Sequence, residues 1–286
     1  IAKSYENSTT TKEYIIRRAK RIIPAYAVVI LVSALFFSAI STSSLPEYFS
    51  NIQFWKYLTA NLSFQNYLEP CLPGVFETNK FCAVNGALWT IKVEEAFYLL
   101  VPLFYWFVRS KKFNFYLLIV IVYLLSVFYY MYFLSIDNYR IAKQLPGALA
   151  FFATGIVFYK NFSLLQKWKD YIIIPCLIVF FLEQYILKTQ LLKPVAFGFM
   201  VFYITYSFKF LNNFGKYGDF TYGIYIYHFP LIQLFVSLGL FNKYPSFLVC
   251  VLVLMLTLVL SILSWYLIEL PYLSKNRRLR QKKLWT

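Results

Sequence analysis

Between Asn85 and Val108 the chain runs from a polar loop into an apolar helix that carries Lys92, Glu94 and Glu95 with it. The apolar run is long enough to cross a bilayer, so these charges sit one to two turns inside, where each is costly unless paired or wetted. Lys92 and Glu95, at i and i+3, share a face and predict an ion pair that seats the helix near the interface. Glu94 shares its side with Thr90, Phe97 and Tyr98, toward a bundle interior. A carboxylate there needs a substrate or an outside partner to offset its desolvation, which makes Glu94 the first candidate for chemistry.

Three further sites could join it. Arg18-x-x-Arg21 places two guanidinium groups on one helical face at the mouth of a span, a geometry suited to anchoring phosphates as well as to plain interfacial anchoring. His228, within Thr221-Tyr222-Gly223-Ile224-Tyr225-Ile226-Tyr227-His228, lies roughly 12 Å into its span at 1.5 Å per residue. A polar cavity or a hydrogen bond to a neighbouring helix would satisfy it. Glu269, closing the last span, predicts a salt bridge with a basic neighbour. Metal chemistry finds no support, because there is one histidine and the four cysteines are scattered between a loop and two spans. Walker-type phosphate loops and a serine or cysteine nucleophile with a local base are also absent.

The elements that must position these residues are membrane helices. At 60% hydrophobic, 22% aromatic and 14% charged residues, the 286-residue chain reads as an all-α, polytopic transmembrane bundle and not as a soluble domain. The net charge of +16 sits beside apolar spans instead of along one soluble face, which argues against nucleic acid as a partner. Apolar runs at 22–40, 89–108, 113–134, 145–159, 171–187, 194–211, 220–240 and 246–268 predict about eight spans. Pro24 would lie in the first turn of the first, where a missing amide proton costs little.

Charge orients them. Alternate connections carry twenty Lys and Arg against seven in the others, so the positive-inside rule puts the Arg17–Arg21 cluster and a basic tail, 274–286, in the cytoplasm. The loop at 41–86 is then external. It holds Cys71 and Cys82, for which an oxidising compartment predicts a disulfide, while Cys176 and Cys250 stay reduced within spans. No repeat or low-complexity tract divides the chain, so residues 1–286 read as one membrane domain. Ile1-Ala2 before Lys3 resembles the tail of an apolar segment whose body precedes it.

In order along the chain stand Arg17-Arg18-x-x-Arg21-Ile22-x-Pro24-x-Tyr26, Leu72-Pro73-Gly74-Val75-Phe76 through Asn85-Gly86-Ala87-Leu88-Trp89-Thr90, Glu94-x-x-Phe97-Tyr98, Thr221-Tyr222-Gly223-Ile224-Tyr225 with His228-x-Pro230, and Trp265 with Glu269-x-Pro271. Their succession resembles the acyltransferase-3 family of integral-membrane O-acyltransferases, most of all the enzymes that O-acetylate surface polysaccharide or lipopolysaccharide O-antigen. The resemblance implies about ten helices in the whole protein, a bacterial inner-membrane location with both termini cytoplasmic, acetyl-CoA (acyl-CoA) as donor without a metal, and a glycan acceptor outside. It implies Arg18 and Arg21 on the donor's phosphates. Glu94 would orient or charge a catalytic histidine that the family carries in a first helix, preceding Ile1, and His228 would have a secondary polar role. The rival reading is a transporter or polymerase of lipid-linked glycans, which would be indifferent to acyl-CoA.

Overall fold

The computed structural model describes residues 1–109, 114–187, 189–208, 210 and 215–273. The 274–286 tail, and Lys111, Lys112, Lys188 and Lys209 of the charge pattern, lie outside the described residues. Among those described, every regular element is helical: α1 (Ala2–Glu6), α2 (Thr11–Phe36), α3 (Leu45–Ser50), α4 (Ile52–Leu62), α5 (Trp89–Arg109), α6 (Phe115–Ser135), α7 (Tyr139–Ala142), α8 (Leu145–Lys160), α9 (Phe162–Phe181), α10 (Lys193–Ser207), α11 (Thr221–Ser237), α12 (Leu240–Lys243), α13 (Ser246–Ser264) and α14 (Leu270–Tyr272). Short π turns, Leu182–Leu187 and Trp265–Glu269, extend α9 and α13.

Among the described residues, five stretches are long and apolar enough to cross a membrane: Thr11–Ile40, Phe115–Ser135, Tyr139–Lys160, Phe162–Leu187 and Ser246–Tyr272. The other three expected positions also hold helices. One is α5, which carries Lys92, Glu94, Glu95 and Arg109; the others, α10 and α11, have 15 and 17 residues.

The first span begins well before its expected start at Ile22. Glu13 N–H donates to Thr10 Oγ1 at 3.1 Å, and Glu13 Oε2 in turn accepts from Thr9 N–H at 2.9 Å and Thr9 Oγ1 at 2.7 Å, a capping arrangement that starts α2 at Thr11. Arg18 and Arg21 therefore sit on the helix, and Pro24 is interior to it instead of in its first turn. There the proline ring removes one backbone hydrogen bond and forces a local bend.

The chain forms two compact units. The first comprises residues 1–14 and 95–214. In it α6 packs on α8, α8 on α10 and α9 on α10. Ala2, Val101, Tyr105, Ile119, Ala153 and Ile156 form its buried core. Glu6 ties this core together by accepting from Tyr105 Oη at 2.7 Å, from Tyr159 Oη at 2.6 Å and from the Lys160 ammonium. Burial pushes the Glu6 carboxyl up, but the hydrogen bonds from Lys160, Tyr159 and Tyr105 outweigh it and hold it below the ordinary 4.5. A carboxyl more acidic folded than unfolded adds stability above pH 4.5 and loses it as pH falls through the lowered folded value. Glu6→Gln should thus lower stability at neutral pH and flatten the acid limb, as read from denaturant midpoints across that range.

The second unit comprises residues 15–94 and 215–286. Its tightest crossing is α11 on α13, where Thr257, Ser261 and Ser264 present a buried seam of small polar residues. A Cβ on Gly223 would stand 2.8 Å from Ser261 Cα, so the absence of a side chain sets the approach of the two helices. Gly223→Ala should cost about 1–3 kcal/mol through overpacking. Gly155→Ala, which points into open space, should not destabilise, and melting of both variants in detergent would tell them apart.

The stretch between Ser41 and Gly86 is more structured than a loop. Ser44 and Glu47 form a capping box that starts α3. Tyr48 Oη donates to Ala34 O at 2.7 Å and Tyr26 Oη to Asn61 O at 2.8 Å, which fastens α3 and α4 to α2. Gly74 turns the chain with φ +65°, and Ser41 Oγ donates to Pro73 O at 2.8 Å beside it. Cys71 and Cys82 are disulfide-bonded, and Cys176 and Cys250 are free thiols. Thiol labelling of denatured protein should count two reactive cysteines before reduction and four after it.

Candidate active site

The polar stretch that opens α5 is fastened along α11 at every second residue. Asn79 Nδ2 donates to Gln233 O at 2.9 Å and to Gln233 Oε1 at 3.1 Å, and Gln233 Nε2 donates to Phe81 O and Ala83 O, both at 2.7 Å. Asn85 Nδ2 donates to Ile226 O at 2.8 Å, and Tyr225 Oη donates to Ala87 O at 2.6 Å. The hydroxyl of Thr90 also meets that of Tyr225. Extended backbone lacks partners of its own, so the amide side chains of Asn79, Asn85 and Gln233 supply them inside an apolar protein.

Gly86 sits against the next turn of α11, where a Cβ would come within 2.7 Å of Phe229 Cζ. The motif residues Asn85, Gly86 and Thr90 thus have a local reason: they let one strand of backbone lie on the helix that carries His228. His228 Nδ1 lies 3.2 Å from Ile224 O, on its own helix and not on a neighbouring one. A carbonyl only accepts, so Nδ1 carries a proton, and in the neutral tautomer that satisfies this contact Nε2 is the acceptor. The half-buried ring lies 5.9 Å from that of Tyr225.

Glu94 is exposed and not enclosed, so it does not bear the full desolvation that first made it a suspect. On α5 it lies one turn after Thr90, on the same helical face. Lys92 goes elsewhere than the expected pairing with Glu95: Nζ donates to Gln65 Oε1 at 3.1 Å and lies 4.4 Å from the Tyr67 ring centroid.

Arg21 is the centre of a second cluster. Its Nη2 meets Asp219 Oδ2 at 2.7 Å and its Nη1 meets Glu269 Oε2 at 2.9 Å. The Trp265 and Tyr222 rings flank the guanidinium at 5.1 and 5.8 Å. Ser264 Oγ donates to the other Glu269 oxygen at 3.2 Å, and Thr221 Oγ1 to Asp219 at 2.6 Å. Glu269 thus has its salt bridge with a basic residue, whereas Arg21 is committed to two carboxylates. Arg18, half-buried, lies one turn before it. No group of three metal-ligating side chains occurs among the described residues.

Tyr225, Asn79, Gln233 and Asp219 were not singled out in the sequence, although Tyr225 stood inside a quoted motif. Their partners are more than a hundred residues away, and only a recurrent Tyr or Asn at a helix face could have signalled them.

A family model described as an acyltransferase domain, acyltransferase-3, matches residues 2–266. An "O-acetyl transferase" of Shigella phage Sf6 is 24% identical over 288 residues, covering 96% of this chain and 81% of that protein. No solved structure matches.

Proposed function

The chain belongs to the acyltransferase-3 family and is an O-acyltransferase with membrane-spanning helices, and from that premise we propose that it moves an acetyl group from acetyl-CoA to a hydroxyl of a cell-surface polysaccharide or O-antigen sugar. Its acyltransferase family displaces the rival reading of a transporter or polymerase of lipid-linked glycans. We read both units as parts of one acyltransferase domain in a bacterial inner membrane, with cytoplasmic termini, the donor on the cytoplasmic side and the acceptor outside. The Cys71–Cys82 bond supports an external place for the segment that contains it.

In the reaction the sugar oxygen attacks the thioester carbonyl, a C–O bond forms and the C–S bond breaks; the hydroxyl proton passes to a base, which returns it to the leaving sulfur, so that coenzyme A departs as its thiol. Such a step needs a base, a donor to the developing oxyanion and cations for the phosphates. The observation that supports the placement is the fastening of Asn85–Thr90 onto the Tyr225–Phe229 turn, which brings the Thr90 and Tyr225 hydroxyls together beside the His228 ring, with Glu94 one turn further along α5. We assign Glu94 to charging or orienting the catalytic imidazole implied by the family pattern, and His228 to a secondary polar role through its Nε2 lone pair. Of the two arginines expected on the donor phosphates, Arg18 keeps that assignment. Arg21, gripped by Asp219 and Glu269, instead fixes the stretch of α2 that carries Arg18.

Membrane vesicles from cells expressing the full gene product, given labelled acetyl-CoA at the cytoplasmic face, should place base-labile label on the surface glycan. Label that appears on no glycan, or that appears equally in vesicles from cells lacking the protein, overturns the proposal.

A further inference from the structure

In the first unit a cavity of about 90 Å³ lies among α6, α8 and α10. Its walls include Val127, Ala150 and Phe151, and its polar lining is Tyr130, Gln190 and Lys193. None of these three side chains hydrogen-bonds to any described residue, and all three are half-buried. Half-buried polar groups converging on one space without partners call for a ligand or water to satisfy them. Gln190 reaches its place through a left-handed backbone, φ +59°, a conformation that costs a non-glycine residue energy and is kept where surroundings or function demand it.

Charge narrows the ligand. Lys193 opens α10, and Arg140 and Lys143 stand in the connection from α6 to α8, so three cations gather at the same end of these helices. Two carboxylates are near in sequence. Asp137 is exposed, and Glu183 is already engaged, accepting from Thr189 Oγ1 and from Leu192 N–H at 3.0 Å. The helix end is thus capped by Glu183, and the attraction for an anion rests on Lys193 with Arg140 and Lys143 behind it. At about 90 Å³ the cavity has room for a phosphate group. On its apolar side Phe151 and Phe197, each 44% exposed with rings 6.4 Å apart, offer a surface for an acyl chain.

We propose that this cavity binds the phosphate of an anionic phospholipid, with Lys193 as its counter-ion, Tyr130 and Gln190 as hydrogen-bond donors, and one acyl chain along Phe151 and Phe197. Basic pockets between membrane helices take lipid head groups in this way. The site stands apart from the residues assigned to acyl transfer, so its test does not depend on that reading.

Native mass spectrometry of the detergent-purified protein titrated with phosphatidylglycerol should detect one lipid retained preferentially over phosphatidylcholine. Lys193→Gln should weaken that binding about tenfold and Tyr130→Phe about threefold, while Lys167→Gln, an exposed cation elsewhere in the unit, leaves it unchanged. Melting of Lys193→Gln in lipid-free detergent should match the parent, which separates lost binding from lost fold; if it melts early, the Tyr130→Phe titration decides. Equal retention of the two lipids, or unchanged binding in both Lys193→Gln and Tyr130→Phe, overturns the site. Displacement of the lipid by millimolar inorganic phosphate would assign the cavity to a soluble phosphate and overturn the lipid.

Discussion

Arg21→Ala should destabilise the protein by about 3–5 kcal/mol, because it leaves a buried carboxylate without its counter-charge. The Glu269 side chain is 0% exposed and Arg21 is 15% exposed, so little water can replace the lost guanidinium. Asp219, at 37%, can hydrate, and its share of the loss should be small. Arg21→Lys should recover only part, since one ammonium cannot reproduce a fork that meets two carboxylates while lying between the Trp265 and Tyr222 rings. Removing both buried partners, Arg21→Met with Glu269→Leu, should recover more than either single change suggests. The measurement is unfolding in detergent beside activity against acyl-CoA concentration. An Arg21→Ala protein that melts normally but shows a raised KM for the donor would return Arg21 to the phosphates and end its role as a structural clamp.

Glu94→Gln should lower glycan acetylation 100-fold or more, about 3 kcal/mol in barrier, if the carboxylate charges a catalytic imidazole during transfer. The amide keeps the shape and removes the charge. Because Glu94 is exposed, neutralising it should leave insertion and stability near normal, which makes the variant a clean probe of chemistry. Glu95→Gln should have the smaller effect on activity. Lys92, held by Gln65 and the Tyr67 ring, does not depend on Glu95 for its place. Both variants would be assayed in the full gene product at matched membrane abundance. Near-normal acetylation in Glu94→Gln, or a deeper loss in Glu95→Gln, would remove Glu94 from the site.

What could be read in the sequence followed from signals within one helix. α13, Ser246–Ser264, and α6, Phe115–Ser135, stand where unbroken apolar runs placed them, since length and hydropathy are properties of the segment itself. The start of α2 was misplaced because its first turns are polar; the Thr10-x-x-Glu13 capping pattern was present and outweighed by the search for apolar residues. Partners were the harder matter. Lys92 had an acid one turn away, yet it bonds Gln65, 27 positions earlier in the chain. Arg21 looked free for a ligand because Asp219 and Glu269 lie 198 and 248 positions away. A local pairing rule cannot weigh such contacts, which arise only when the helices are packed. The family pattern reached further than spacing did, because Asn85, Gly86, Tyr225 and His228 come together in space although their types alone name no reaction.

The alternate-residue fastening of Asn79, Phe81, Ala83, Asn85 and Ala87 to α11 bears on how substrates come and go. A surface flap opens by peeling from one end, breaking few contacts at a time. Here each step of peeling would break a hydrogen bond between a side chain and the backbone, at about 0.5–1.5 kcal/mol for each. The segment therefore rides with its helix as one piece. Thr90 and Tyr225, whose hydroxyls meet, then keep their spacing through any larger motion, so that contact does not have to be rebuilt each time the helix moves.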